Sequence, residues 1–418
     1  MIPRLAARDS TASFLLDGYT FGRRRFERLR TNAFRTRLML KPVTIMRGAD
    51  AARLFYEGNR FTRSSALPSS TLLLLQDEGS VQSLDGAPHD HRKLMFLAVT
   101  QEEETRRLVS IFRDDWERAA AEWGTLEEVE LHAALLPLLT RTAMSWAGVP
   151  VEGGAVLERT DEFAAMLENA GRFGPPTWAA RTRRNHSEEW ARDLIRRTRS
   201  GQLSPSAGSA LRIITDHLEA DGKPLSTKIA AVELINVLRP IVAVGRYIVF
   251  SALALHRHPR WARSFASGND SDLENFVNEV RRFYPFFPVV GGRATTSFEW
   301  NGHKFGIGDW VLLDLYGTNH DGGIWSDPDR FRPERFRDWN GDRGTLIPQG
   351  GGDVAHGHRC PGESITVELM KEAVRQLARH LVYSVPDQDL RVSLRRFPAI
   401  PESRFVMKVA ARRLRADA

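Results

Sequence analysis

The chain has 418 residues, 42% of them hydrophobic, with a formal charge of +7 at pH 7 and a single cysteine. That length can bury a large core, and one cysteine excludes an intramolecular disulfide framework and points to a reducing, cytoplasmic setting. The basic balance invites nucleic acid, anionic lipid or an acidic small substrate. The basic runs Arg23 to Arg25 and Arg412 to Arg415 carry no nucleic-acid-binding signature, so nucleic acid is discounted and most of these residues read as a solvated arginine-rich surface.

In chain order, residues 1–40 read as an extended arm followed by a short helix. Pro42 to Met46 reads as a strand and Asp50 to Tyr56 as a helix. Helical spacing recurs over 101–147, 155–170 and 187–200. The apolar stretches Leu72 to Leu75 and Tyr247 to Leu255 are too short to span a bilayer, and the N-terminus shows no secretory signal. Ser226 to His256 reads as one long buried helix, capped by Ser226 and followed by Pro259. Pro240 in its middle removes a backbone hydrogen bond and is expected to kink it. Residues 271–283 form a further helix. Asn301-Gly302 marks a hairpin, 316–352 is irregular, a helix runs over 361–381, and short strands follow from 388. The fold class expected is mainly α with a small β portion, in one domain spanning 1–418.

The only cysteine lies in Ile347-Pro348-Gln349-Gly350-Gly351-Gly352-Asp353-Val354-Ala355-His356-Gly357-His358-Arg359-Cys360-Pro361-Gly362-Glu363. Three glycines let the backbone lie close against a flat object. Free N–H groups at the following helix start can lower the thiol pKa, and Arg359 adds a cation. From the residues alone, a zinc site with His356 and His358 or a cysteine nucleophile stays open. A phosphate loop is disfavoured because its Lys-Ser/Thr continuation is missing.

Two further motifs precede this loop. In Glu279-Val280-Arg281-Arg282, Glu279 and Arg282 share a helix face at i,i+3. Phe331-Arg332-Pro333-Glu334-Arg335-Phe336 follows. In that order, and over nearly the whole chain, these segments resemble the cytochrome P450 superfamily. The resemblance implies a P450 fold, haem b as cofactor, Cys360 as the iron ligand and a structural Glu279–Arg282–Arg335 network.

The centre of the long helix narrows the likeness. It lacks the acid–alcohol pair of typical P450 monooxygenases and reads Asn236-Val237-Leu238-Arg239-Pro240. This resembles the fatty-acid peroxygenase branch, in which Arg239 and Pro240 belong to the catalytic centre. Peroxide heterolysis needs a group that moves a proton between the two oxygens. A pocket without its own acid can take that group from a substrate carboxylate paired with Arg239.

Gln82 stands where hydroxylating members resemble one another, which implies hydroxylation over decarboxylation to terminal alkenes. His89, Lys93, Arg63 and Arg359 match contacts to the haem propionates, whereas His91 and Arg92 read as solvated. Phe286, Phe287 and Val289 are expected to border the haem and acyl chain. The expected reaction is hydroxylation of long-chain fatty acids at Cα, or Cβ, by hydrogen peroxide without a redox partner. The alternatives are an alkene-forming decarboxylase, a reductase-dependent monooxygenase, and a non-enzymatic haem or lipid sensor.

Overall fold

The computed structural model describes residues 2–68, 74–75, 77, 79–171 and 174–412, with Ala411 and Arg412 as backbone alone. The stretch Leu72 to Leu75 and the basic run Arg412 to Arg415 fall partly outside them. The long helix, Thr227–Arg257, is the axis of the fold, and every side chain from Ala230 to Leu255 except Pro240 is buried. A helix apolar all round must be enclosed. The helices Leu131–Trp146, Pro175–Arg199 and Glu363–Arg375 pack against it. By length and composition it could cross a bilayer, contrary to the sequence reading, yet 94% of its apolar window lies inside the fold. Ser226 caps it, its hydroxyl accepting from the Ile229 N–H at 3.2 Å. The helix runs unbroken through Pro240, because one missing donor leaves the neighbouring turns intact.

The β portion is a five-stranded sheet in the order Ala33–Leu38, Lys41–Met46, Trp310–Asp314, Val289–Ala294, Phe61–Thr62. A three-stranded sheet and the hairpin Phe298–Trp300 with His303–Phe305 complete it. Asn301 and Gly302 turn that hairpin with φ of 51° and 65°, the left-handed pair a two-residue turn requires.

Several boundaries differ from the sequence reading. The first 40 residues hold two helices, Thr11–Asp17 and Thr20–Leu29, and a strand, because Arg-rich amphipathic spacing reads as polar arm. Pro175–Arg199 begins twelve residues before the expected 187. The helix after the cysteine starts at Glu363, and Pro361-Gly362 form the turn into it. Leu315–Asn319 and Pro333–Phe336 form short helices within the expected irregular stretch.

Buried histidines tie stability to pH. Burial and Arg246 push His132 down to about 3, and burial and Arg282 do the same to His320. The unfolded chain takes up these protons near pH 6.5 while the folded one refuses them, so stability is lost as pH falls from 6.5 toward 3. Asp314, pushed up to about 7 by burial, works in the opposite direction. His132→Gln removes one refused proton and should flatten the acid limb by about 1.4 kcal/mol per pH unit between pH 6 and 4. Denaturant unfolding at several pH values measures this; identical limbs in the two proteins would refute it.

Candidate active site

Glu233, Asn236 and Arg239 recur at i, i+3 and i+6, so they share one face of an otherwise apolar helix. Arg239 is 5% exposed. Its guanidinium donates to the Leu74 carbonyl at 3.1 Å, to the Leu75 carbonyl, and to Asn236 Oδ1 at 3.4 Å. No carboxylate pairs with it among the described residues. Burial and the nearby Arg184 push it down to about 9. Arg184 has its own acid, Glu188 at 2.9 Å. Pro240, next to Arg239, is exposed in the middle of this enclosed helix, so it faces open space.

Gln82 sits in the short helix Val81–Ser83 and accepts from Asn236 Nδ2 at 3.3 Å. Behind it lies Glu233, fully buried. Glu233 accepts from the Val81 N–H at 2.7 Å, from Arg92 at 3.0 Å and from Asn236 Nδ2 at 3.1 Å. Burial pushes its carboxyl up, against Asn236 and Arg92. Arg92 is therefore not solvated as the sequence suggested: it is 4% exposed and bound by Glu233 and Glu219. Sequence reading missed Glu233 and Asn236. Their signal was there, since polar residues three apart in an apolar helix must satisfy one another.

Cys360 lies on the loop ahead of Glu363–Arg375, its N–H bonded to the Gln349 carbonyl at 3.2 Å. Burial pushes the thiol up, and the Gly362 N–H opposes this only in part, so the helix start alone does not make a thiolate. No group of three His, Cys, Asp or Glu side chains converges to hold a metal among the described residues, so His356 and His358 do not build a zinc site with Cys360. A single sulfur donor fits a metal whose other ligands come from a macrocycle. The glycines serve packing on Tyr56: a Cβ on Gly352, at φ 77°, would stand 2.7 Å from the Tyr56 Cβ.

Beside this loop, a cleft is lined by Tyr56, Arg63, Asp85, His89, Gly357 and His358 among others. Arg63 donates to the Gly291 carbonyl at 2.8 Å and stacks on Phe55 at 4.3 Å. His89 stands 4.3 Å from His358, ring to ring. Burial lowers both histidines, His358 to about 4. The Arg63 guanidinium and the ring N–H groups of the two histidines fit the carboxylates of a haem. Lys93 and Arg359 are placed differently. Lys93 Nζ donates to the Gly357 and Arg359 carbonyls at 2.9 and 2.7 Å, and Arg359 pairs with Glu363 at 2.5 Å. Both brace the cysteine loop.

Glu279 binds Arg282 at 2.6 Å and Arg335 at 3.2 Å, with Glu279 and Arg282 fully buried. Arg282 donates onward to the Asn319 and Pro328 carbonyls, tying the helix Leu273–Phe283 to the segment before the cysteine loop. Phe286 stacks on Tyr247 of the long helix at 4.3 Å, and its carbonyl accepts from Tyr19. Phe287 is 43% exposed, and Val289 opens the strand that pairs with Trp310–Asp314.

Comparison with known proteins places this geometry. A family model described as Cytochrome P450 matches residues 273–407. The solved structure of cytochrome P450EX alpha with myristic acid is 39% identical, with a TM-score of 0.95 over 99% of this chain and 100% of that one. Cytochrome P450SP alpha in complex with (R)-ibuprophen is 43% identical, with a TM-score of 0.94 over 96% and 98% of the two chains. A variant of cytochrome P450 OleT in complex with arachidonic acid is 31% identical, with a TM-score of 0.96 and full coverage of both chains. Curated proteins match over shorter spans, such as ferruginol synthase of Salvia miltiorrhiza, 30% identical over 28% of this chain. The chain spans about a quarter of the length of such relatives.

Proposed function

Because the chain belongs to the cytochrome P450 superfamily, in its fatty-acid peroxygenase branch, we propose that it hydroxylates long-chain fatty acids with hydrogen peroxide. The balance is RCH2COOH + H2O2 giving RCH(OH)COOH + H2O. One observation carries the reading: Arg239 is a buried guanidinium without a carboxylate partner among the described residues, beside Pro240, the one exposed position between Ala230 and Leu255 of the central helix. A buried cation calls for an anion, and a fatty acid supplies one.

Cys360 would hold haem b and Arg63 and His89 would take its carboxylates; the cofactor would supply peroxide cleavage and C–H oxidation when bound. The chain's own side chains do the rest. Arg239 fixes the substrate carboxylate, and a fixed carboxylate brings only its first carbons to the reacting centre. No acid–alcohol pair stands beside Arg239, so the substrate carboxylate holds and returns the proton that peroxide cleavage needs. Gln82 does not titrate and leaves that role to the substrate. No redox partner is then required, and the protein works in the cytoplasm. The test is product analysis after mixing purified haem-loaded protein, a long-chain fatty acid and hydrogen peroxide. Hydroxy acid is expected; no turnover, with spectral shifts alone, would make the protein a sensor.

Oxidation is expected mainly at Cα, with Cβ as the minor product and little alkene. Phe287 is exposed beside Phe286 with ring centroids 4.9 Å apart, and we assign it added bulk along the acyl path. Phe287→Gly should move product toward Cβ severalfold, read by mass spectrometry. An unchanged ratio would remove the steric role, and dominant alkene would remove the role of Gln82.

A further inference from the structure

We propose that Glu233 is a positioning residue that sets the orientation of both Arg239 and Gln82 through the side-chain amide of Asn236. The inference rests on the carboxylate-anchoring role of Arg239 argued above. An ionised carboxylate only accepts hydrogen bonds, and an asparagine amide has one donating and one accepting end. Glu233 Oε2 takes the Asn236 NH2 group at 3.1 Å, so the Asn236 oxygen must face the other way. It meets the Arg239 guanidinium at 3.4 Å. The same NH2 group reaches Gln82 Oε1 at 3.3 Å, which leaves the Gln82 NH2 end as the free donor. Glu233 Oε1 meanwhile takes the Val81 N–H at 2.7 Å and so pins the short helix that carries Gln82.

The carboxylate itself is locked from behind. Arg92, 4% exposed, donates to Glu233 at 3.0 Å and to the Gly79 carbonyl at 3.2 Å, while its other arm binds Glu219. Stability alone is a weak reason for such a group. A fully buried carboxylate costs several kcal/mol to desolvate, and apolar packing would hold two helices as well. What apolar packing cannot do is fix which end of an amide faces Arg239. Asn236 flipped would point an NH2 group at a cation and take away one of the acceptors that hold it.

The experiment uses the haem-loaded protein and measures spectral binding constants for myristic acid and its methyl ester. Glu233→Gln keeps the shape of the side chain and removes the acceptor-only constraint. Asn236→Ala keeps the Glu233–Arg92 pair and removes the link, so it tests the relay even if the first variant fails to fold. Each should weaken myristic acid roughly tenfold, about 1.4 kcal/mol, and leave the ester within about twofold. The double variant should lose no more than either single one, since all three break one chain of contacts. The Cα to Cβ product ratio should shift in each. Equal weakening of acid and ester, or additive losses, would make Glu233 a structural residue and overturn the proposal. Arg239→Ala run in parallel separates the premise: wild-type affinity for myristic acid in that variant would mean that the anchoring role of Arg239 has failed, whereas weakening there with unchanged affinity in Glu233→Gln and Asn236→Ala would overturn the relay.

Discussion

Arg239→Ala should retain haem and fold but lose peroxide-driven turnover of fatty acids by roughly two orders of magnitude or more. The size follows from two losses in one group. Alanine removes a charge-assisted pair to the substrate carboxylate, and with it the placement of the group that moves the proton. Arg239 is buried against carbonyls of Leu74 and Leu75, with Arg184 near enough to disfavour its charge. A bound carboxylate would offset that penalty, since no carboxylate among the described residues pairs with Arg239. Steady-state rates with hydrogen peroxide and a long-chain acid measure the loss. Unchanged activity would refute the role. Methyl esters supply an independent arm: they lack the anion and should be poor substrates for the wild type, by a factor like that of the variant.

How much of this was legible in the sequence depended on whether a residue's role lay in its own neighbours along the chain. Asn301-Gly302 named its hairpin because the turn needs two left-handed residues. The long helix was legible because apolar residues surround its whole circumference. Glu279-x-x-Arg282 showed the ion pair that one helix face permits, though not that Arg282 would reach Asn319 and Pro328. Contacts across the fold were not legible in this way. Arg92 looks like one more surface arginine among many, and only packing shows Glu233 across from it. Lys93 and Arg359 offered cations to a cofactor, but their partners are set by how the cysteine loop folds back, which no spacing encodes. The glycine run implied close approach, and Tyr56, far away in the sequence, is what it approaches.

Cys360→Ser should abolish the red-shifted Soret band that the reduced wild-type protein shows with carbon monoxide, and peroxide-driven turnover with it. The band reports sulfur ligation directly, so it reads the assignment apart from activity. This chain has no other sulfur ligand of that kind, since Cys360 is its only cysteine. Among the described residues no cluster of His, Asp or Glu stands ready to replace it. Burial raises the thiol pKa, with the Gly362 N–H, Lys93 and Arg281 opposing it. A metal ion inverts that balance by binding the thiolate outright. Serine keeps the size and the loop, with its N–H still bonded to Gln349, but its oxygen is a far weaker ligand for this purpose. The variant should fold with wild-type far-ultraviolet circular dichroism. Circular dichroism that matches, together with a thiolate-type band that persists, would sink the assignment; a histidine-type band in the wild type would do so as well.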